Sequence, residues 1–306
     1  MTPVPVPTAR LSLRRGQQRA QLDLVGGRVV SYLVHGKEVL AAEPHSMTTT
    51  YRSALLAPWP NRVALGQWQW EGEELQLPVN EVPPGNALHG LAAFAPFEVA
   101  EVADHSARLV HELVASPGYP FGLTLEVTYT LTGDGLACRL EAVATGDRPT
   151  PVALGVHPYL LARGPVDDVA LSVPADLVVQ VDELWQETER LDASRTDLDL
   201  RDVRRLGDQD IDACFTGLRR DDAGRVRCLV VLPDGDEIVV WGGGTARYVV
   251  VYTSHTLPGD LRRTSLAVEP MTAPANALRA GTDLDVLEPG ASLILEWGLV
   301  PSWLTD

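Results

Sequence analysis

The chain has 306 residues and a formal net charge of −16. This length fits two average domains or one large all-β domain, and it is enough to bury a sizeable core. The negative charge argues against nucleic acid and anionic membrane surfaces as partners, because phosphate groups would be repelled. The first ten residues contain no apolar run and the three cysteines are scattered. We therefore expect a cytoplasmic protein without a signal peptide, and a flexible tail over residues 1–9.

Short segments of alternating apolar and polar residues dominate the chain, and this period predicts β-strands. The clearest pair is Leu123–Leu131 with Leu136–Ala144, joined by a Thr-Gly-Asp-Gly turn that predicts a hairpin. Further strands are expected at Arg10–Arg14, Ala20–Leu24, Arg28–Val34, Phe97–Ala103, Arg108–Val114, Val169–Val173, Leu177–Val181, Val226–Leu232, Glu237–Trp241, Arg247–Thr253 and Ser292–Leu299. The pattern indicates an all-β fold, a large antiparallel β-sandwich with few short helices, forming a single domain over residues 1–306.

Three segments carry more specific expectations. Asp208–Leu218 is the segment expected to hold a turn or two of helix, and the polar run Asp182–Arg205 is expected to be a long surface loop. A strand over Thr264–Val268 should reach Glu269 and stop at Pro270, since proline cannot donate to a sheet ladder. This would place the Glu269 carboxylate at a strand end, facing a cleft without full desolvation.

A second titratable group occupies a similar position. His157 follows an apolar segment and precedes Pro158, as Glu269 precedes Pro270. An acid and a base held together are what a proton-shuttling site needs. If both face one cleft, the carboxylate should raise the pKa of the histidine and the imidazolium should lower that of the glutamate. The structural alternatives are a surface glutamate and a buried histidine satisfied by backbone groups.

Two loops contain residue types suited to sugar binding. In the sequence APWPNRV, two prolines stiffen the approach of Trp59 to Asn61 and Arg62. An aromatic platform followed by an amide and a guanidinium can hold a sugar by stacking and hydrogen bonds. In NALHGL, His89 is followed by a glycine that permits close backbone approach. The alternatives are a capped turn with a surface arginine and a surface histidine.

Asp212 lies among apolar residues in the sequence IDACFTGL. We expect it on a short helical turn, where it either caps the turn or accepts hydrogen bonds from sugar hydroxyls. No metal-ligand spacing and no nucleotide-binding motif is present in the sequence.

Taken together, PWPNRV, NALHGL, GVHPYL, IDACF, YVVVYT and VEPMTAPANAL resemble, in this order, the aldose 1-epimerase (mutarotase) family over nearly the whole chain. The resemblance implies the galactose-mutarotase-like β-sandwich and interconversion of the α and β anomers of a free aldose, without a metal or other cofactor. By position, Glu269 matches the general base and His157 the general acid. The substrate-binding residues that we expect from the matching motifs are Arg62, His89, Asp212, Asn61 and Tyr159.

The residue types fit this chemistry independently. Opening a pyranose requires a base on the anomeric hydroxyl and an acid on the ring oxygen, each worth roughly 10²–10⁴-fold in rate. Three alternatives stay open. A hexose-6-phosphate 1-epimerase would need Arg247 or Arg262 beside Arg62 to hold phosphate. A glycoside hydrolase would use Glu269 with Asp212. A non-catalytic protein would only bind the sugar. We expect a small sugar as the only partner, and a monomer or homodimer.

Overall fold

The structure, a computed structural model, describes residues 10–42 and 50–305. The tail expected at residues 1–9 lies outside these ranges. In chain order the strands are β1 (Arg10–Arg15), β2 (Gln18–Asp23), β3 (Arg28–Val34), β4 (Lys37–Glu38), β5 (Leu55–Leu56), β6 (Arg62–Val63), β7 (Gln67–Trp70), β8 (Glu73–Gln76), β9 (Ala87–Leu88), β10 (Glu98–Ala103), β11 (Ser106–Leu113), β12 (Leu123–Leu131), β13 (Leu136–Ala144), β14 (Thr150–Val152), β15 (Gly155–Val156), β16 (Tyr159–Leu161), β17 (Ala170–Ser172), β18 (Ala175–Val181), β19 (Glu187–Asp192), β20 (Arg204–Arg205), β21 (Asp212–Leu218), β22 (Val226–Val231), β23 (Glu237–Gly242), β24 (Tyr248–Tyr252), β25 (Ser265–Met271), β26 (Asp285–Leu287) and β27 (Ser292–Pro301).

Helical structure is confined to short segments in the described part of the chain. One α-helical turn, α1, spans Ala277–Ala280. The 3₁₀ turns are Ala64–Gly66, Val166–Asp168, Ala193–Arg195, Gly259–Leu261 and Ser302–Thr305. Within the same ranges, no helix has the length and apolar character needed to cross a membrane.

Two large antiparallel sheets dominate the architecture. A nine-stranded sheet has the order β10-β11-β12-β13-β27-β23-β22-β17-β20. An eight-stranded sheet has the order β19-β18-β21-β24-β25-β15-β5, and β16 also pairs with β25. Strands β1 to β4 form a third sheet, and three strand pairs complete the fold. The expected all-β antiparallel sandwich is confirmed.

The predicted hairpin lies near the middle of the nine-stranded sheet. Strands β12 and β13 pair from Leu123 opposite Ala144 to Leu131 opposite Leu136. Every second residue of each strand is buried, and those between them are partly exposed. This alternation is the period of a strand with one face on the core and one on solvent, as the sequence predicted.

The sequence-based assignments of a helical turn and of a long loop are wrong. Asp212–Leu218 is strand β21 and not a helical turn, because it pairs with β18 on one side and β24 on the other. The run Asp182–Arg205 is not a plain loop, since Glu187–Asp192 pairs with β18 as an edge strand. An edge strand exposed to solvent needs little apolar alternation, which explains why the sequence pattern missed it.

Candidate active site

The eight-stranded sheet has one face on the core and the other on a cleft of about 310 Å³. On β24, Val249 and Val251 join the main core, whereas Val250 and Tyr252 line the cleft. The described residues that line the cleft are Thr50, Tyr51, Asn61, Arg62, Asn80, Glu81, Leu88, His89, His157, Tyr159, Asp212, Val250, Tyr252, Thr256, Leu257 and Glu269. All seven residues predicted for the site are therefore on one cleft.

Strand β25 places Glu269 on the cleft floor. The strand does not stop at Pro270, as the sequence suggested, but continues to Met271, with Glu269 opposite Val250 of β24. On its other side, the ladder with the preceding segment is interrupted. Gly155 lies opposite Met271 and Tyr159 lies opposite Ala267, while the residues between them form no regular pairs.

The register across this interruption sets two catalytic candidates face to face. If the register of the Gly155–Met271 and Tyr159–Ala267 pairs is continued into the gap, His157 lies directly opposite Glu269. Pro158 and Pro270 both fall inside the gap, and neither can donate to a ladder there. The Nε2 of His157 lies 3.4 Å from Oε1 of Glu269. The His-Pro and Glu-Pro sequences thus have the same structural role. Their prolines interrupt the backbone pairing at the position where the His157 and Glu269 side chains meet.

Both side chains are deeply buried at the base of the cleft. Glu269 is 2% and His157 6% exposed. Oε2 of Glu269 and Nδ1 of His157 have no hydrogen-bond partner among the described residues. Unsatisfied buried polar atoms are uncommon and costly, and they are typical of sites built for a ligand.

Burial moves the two pKa values in the direction opposite to the sequence-based expectation. Desolvation by burial, with a smaller contribution from the nearby Arg62 charge and against a backbone hydrogen bond that favours the charged ring, lowers the pKa of His157 to about 3. Desolvation, helped by the Asp212 carboxylate, raises the pKa of Glu269 well above its usual range, with Arg62 opposing. The expectation that each group would favour the other's charge was wrong, because the cost of burying either charge outweighs their attraction. Both shifts favour the uncharged forms, a protonated carboxyl group and a neutral imidazole.

His89 and Asn61 connect the two predicted sugar-binding loops. The His89 amide donates to the Asn61 carbonyl (2.8 Å), and the Asn61 amide donates to Nδ1 of His89 (3.2 Å). Both residues have positive φ, 55° for Asn61 and 62° for His89. A side chain on Gly90 would lie 2.2 Å from the Ala57 carbonyl oxygen, so only glycine permits this approach. With Nδ1 of His89 accepting, a neutral ring carries its proton on Nε2.

Arg62 begins β6, which pairs with β9. Its guanidinium donates to both carboxylate oxygens of Glu81, at 2.9–3.1 Å, and stacks on Trp185 with 3.8 Å to the ring centroid. Trp59, predicted as the aromatic platform, is instead 2% exposed and donates from Nε1 to the Ala87 carbonyl. A tryptophan prefers such a buried position when its N–H finds a partner.

Asp212 and Tyr159 form two walls of the cleft. Asp212 stands at the start of β21, opposite Tyr252. Its carboxylate is open to the cleft, yet the surrounding walls desolvate it enough to raise its pKa, against the lowering effect of Arg62. Tyr159 stacks on the His157 ring at 4.7 Å with an interplanar angle of 3°. Tyr159 thereby fixes the plane of the imidazole.

Sequence reasoning missed several residues of the site, notably Glu81, Tyr51 and Tyr252 in the cleft lining and Trp185 stacked against Arg62. Glu81 stands five residues before Asn86 of a predicted loop motif, and Trp185 is an aromatic residue within a polar run. These were the available signals. Tyr51 contacts the His89 ring at 4.8 Å, a tertiary contact that no local pattern carries. In residues 10–42 and 50–305, no group of three or more His, Cys, Asp or Glu side chains is arranged to hold a metal ion.

Comparisons with known proteins agree with this architecture. The family model described as Aldose 1-epimerase matches residues 9–296. The uncharacterized protein YihR of Escherichia coli is 31% identical over 283 residues, which cover 92% of this chain and 89% of that protein. The galactose mutarotase of Rattus norvegicus is 34% identical over 145 residues, covering 44% of this chain and 40% of its own length. The chain therefore belongs to the aldose 1-epimerase family.

Solved structures show the same fold. An aldose epimerase homologue from C. elegans superposes with a TM-score of 0.85 at 18% identity, covering 96% of this chain and 99% of that one. A galactose 1-epimerase from Lactobacillus acidophilus has a TM-score of 0.78 at 19% identity, covering 97% and 99%. The galactose-mutarotase-like fold expected from the sequence is confirmed.

Proposed function

We propose that the protein is an aldose 1-epimerase that interconverts the α and β anomers of a free aldose, with Glu269 and His157 as its proton carriers. The observation that carries this proposal is their opposition across the interrupted ladder, 3.4 Å apart at the base of the cleft. The anomeric hydroxyl and the ring oxygen of a pyranose are bonded to the same carbon. An acid and a base that meet this closely can serve both atoms at once.

In the proposed reaction, Glu269 takes the proton of the anomeric hydroxyl and His157 gives a proton to the ring oxygen. The bond between C1 and the ring oxygen breaks, its electron pair goes to that oxygen, and C1 becomes an aldehyde. Rotation about C1–C2 presents the other carbonyl face, and the reverse proton transfers close the ring. The pair starts and ends with one proton, so the chemistry needs no other reactant.

We assign the base to Glu269 because its Oε2 is buried without a partner among the described residues. An anomeric hydroxyl that donates to this oxygen supplies the missing hydrogen bond. Hydrogen bonding to the charged form favours the carboxylate, which moves the single proton of the pair to His157. Binding of the sugar would thus convert the resting pair into the reactive one. Arg62, His89, Asp212, Asn61 and Tyr159 are the proposed contacts to the remaining hydroxyls.

A phosphorylated sugar is a weaker candidate substrate. Among the described residues that line the cleft, Arg62 is the cation, and Glu81 already occupies it. Arg247 instead donates from Nε to the Thr272 carbonyl (2.6 Å) and pairs with Asp285. Arg262 is exposed and does not line the cleft. Phosphate is normally held by several donors, which these residues do not gather.

The test is polarimetry of freshly dissolved α-anomers of glucose, galactose, xylose and arabinose, with and without the protein. We expect faster approach to the anomeric equilibrium for at least one sugar. Release of reducing ends from an aryl glycoside, without faster anomer exchange, would instead support a glycoside hydrolase. Sugar binding without any rate increase would support a non-catalytic protein. Either result would contradict the proposed function.

A further inference from the structure

Arg62 is immobilised on three sides. Nε and Nη2 donate to Glu81, and Nη1 lies 3.3 Å from Oδ1 of Asn61. The flat face of the guanidinium rests on Trp185. A guanidinium has five N–H groups. These contacts with described residues leave one N–H on each of Nη1 and Nη2 for a ligand. Arg62 therefore presents donors in a fixed direction.

Other residues hold this assembly in place. Nδ2 of Asn86 donates to Oε2 of Glu81 at 2.8 Å, so that both carboxylate oxygens are used. Nδ2 of Asn276 donates to the Leu184 carbonyl (2.7 Å), directly before Trp185, and the Asn276 amide donates to the Arg62 carbonyl (2.6 Å). The stacked pair is thus anchored from both sides. Such second partners reduce the ordering that a ligand must provide on binding.

The charges of the cleft do not favour an anion. The Glu81 and Asp212 carboxyl groups line it, against Arg62 as the cation among the lining residues that the structure describes. Arg62 is 16% and Glu81 21% exposed, so water screens the pair only in part. An anionic sugar could bind Arg62 only by competing with the bidentate Glu81 carboxylate, or by approaching a guanidinium whose positive charge Glu81 already balances.

We propose that Glu81 and Trp185 are positioning residues that hold Arg62 as an oriented, charge-compensated donor, and that the cleft therefore selects uncharged aldoses over anionic ones. This inference deepens the proposed function and rests on it. Glu81 determines the charge selection and Trp185 the direction of the donors. Sugar hydroxyl groups can accept from the two remaining N–H groups without displacing Glu81. The negative charge of a phosphate or carboxylate finds no unpaired positive charge there, because Glu81 already balances Arg62.

The first test compares Glu81→Gln with wild type by calorimetric binding of two matched pairs of probes. These are glucose with glucose 6-phosphate, and galactose with galacturonate, at low and high salt. Glu101→Gln is the matched control, because Glu101 also pairs with an arginine, Arg108, but is 72% exposed and away from the cleft. We expect wild type to favour the neutral sugar by at least about tenfold, the scale of one charged hydrogen bond.

In Glu81→Gln the ratio of neutral to anionic affinity should fall by about tenfold at low salt and recover partly at high salt, since the Arg62 charge is no longer matched. The control should keep the wild-type ratio. Equal wild-type binding of neutral and anionic probes, or an unchanged ratio in Glu81→Gln, would overturn the inference. Faster anomer exchange with no charge selection would overturn this inference alone. Absence of exchange and of binding for every sugar would overturn the proposed function with it.

The second test separates positioning from stability. Trp185→Phe keeps a ring under the guanidinium and Trp185→Ala removes it. We expect Trp185→Ala to raise KM by about tenfold while kcat changes by less than about threefold, and Trp185→Phe to restore most of the loss. Trp70→Phe, a partly buried tryptophan outside the cleft lining, is the control. Unchanged KM in Trp185→Ala, or equal effects of the two Trp185 variants, would contradict the assigned role.

Discussion

The β12–β13 hairpin and the β24–β25 pair are both central antiparallel pairs, yet their burial differs. In the hairpin, buried residues alternate with partly exposed ones. In β24 and β25 every residue is buried. The outer face of the hairpin meets solvent, whereas the second face of β24–β25 forms the floor of a cleft. Strand β25 is buried on both faces and yet carries a carboxylate. This residue does not serve the stability of the fold, which is typical of a functional site.

The energetic meaning of a glutamate differs accordingly between the two regions. Glu126 on β12 is 31% exposed and pairs with Arg108 at the surface. Glu269 on β25 is 2% exposed, with one carboxylate oxygen lacking a partner in the described part of the chain. Surface ion pairs contribute little to stability. A buried carboxylate lowers the free energy of unfolding, and a role in function accounts for its presence.

Replacing these two glutamates should give the largest difference. Glu269→Gln keeps the shape and removes a proton carrier, so anomer exchange should slow by at least about 10²-fold. Glu126→Gln should retain wild-type rates. Initial-rate polarimetry measures both, and circular dichroism checks that both fold. Since Glu269→Gln removes a buried ionisable group, its thermal midpoint should equal or exceed that of wild type. Wild-type rates in Glu269→Gln would refute the mechanism.

His157→Asn tests the opposing side of the interrupted ladder. The rate of anomer exchange should fall by a similar factor, about 10²-fold or more, because ring opening needs a base on the anomeric hydroxyl and an acid on the ring oxygen. His111→Asn on β11 is the control, since His111 is a surface histidine of the nine-stranded sheet whose Nδ1–H donates to the Pro96 carbonyl. A His157→Asn enzyme as active as the control would show that the ring oxygen receives its proton from another group.

A core truncation in the hairpin should show the reverse pattern. Leu140 is fully buried on β13, opposite Val127. Leu140→Ala leaves a cavity and should lower the free energy of unfolding by about 2–5 kcal/mol. Below the unfolding transition, kcat/KM should remain within about twofold of wild type, because the change lies in the other sheet. Denaturant unfolding and polarimetry on the same sample measure both. A large loss of activity without a loss of stability would contradict this separation.

The same contrast explains how far sequence reasoning reached. The hairpin was predicted with correct bounds because its two-residue period and its turn are local. The motifs also led to the seven proposed site residues, which line one cleft and whose roles stay predictions. Several features were missed for physical reasons, and three of them depend on tertiary structure. Pro270 lies inside β25 because its side of the ladder is interrupted, β21 is a strand because neighbours pair on both sides of it, and the pKa directions follow from tertiary burial.

The pH dependence of kcat/KM shows whether burial or the attraction between Glu269 and His157 determines their pKa values. The lowered pKa of His157, about 3, sets the acid limb, and the raised pKa of Glu269 sets the alkaline limb of kcat/KM. Activity is present while the pair holds one proton, and it is lost as pH rises through the Glu269 pKa. Asp212 raises that pKa, so Asp212→Asn should move the alkaline limb to lower pH, whatever its effect on sugar binding. Asp234→Asn, at a surface pair with Arg163, is the control. An alkaline limb unmoved or shifted upward in Asp212→Asn would contradict this assignment.

The smallest expected effect concerns Pro270, which breaks the usual rule for central strands. The Val268 amide donates to the Pro158 carbonyl at 3.4 Å, towards the interrupted side. Residues two apart in a strand direct their backbone groups to the same side. The N–H that Pro270 lacks would therefore point into the gap beside Val156 and not towards β24. Proline there removes no hydrogen bond from the β24–β25 ladder.

Pro270→Ala should consequently change the free energy of unfolding by less than about 1 kcal/mol, within the range of substitutions that break no named interaction. Ala142→Pro provides the contrast, because β13 pairs with β12 and β27 on its two sides. It removes a ladder donor and should cost about 3 kcal/mol or more. Denaturant unfolding of both variants decides the matter. A loss in Pro270→Ala as large as that in Ala142→Pro would mean that the proline itself, and not the interruption around it, stabilises β25. A small loss would leave the gap as the feature that allows His157 and Glu269 to meet.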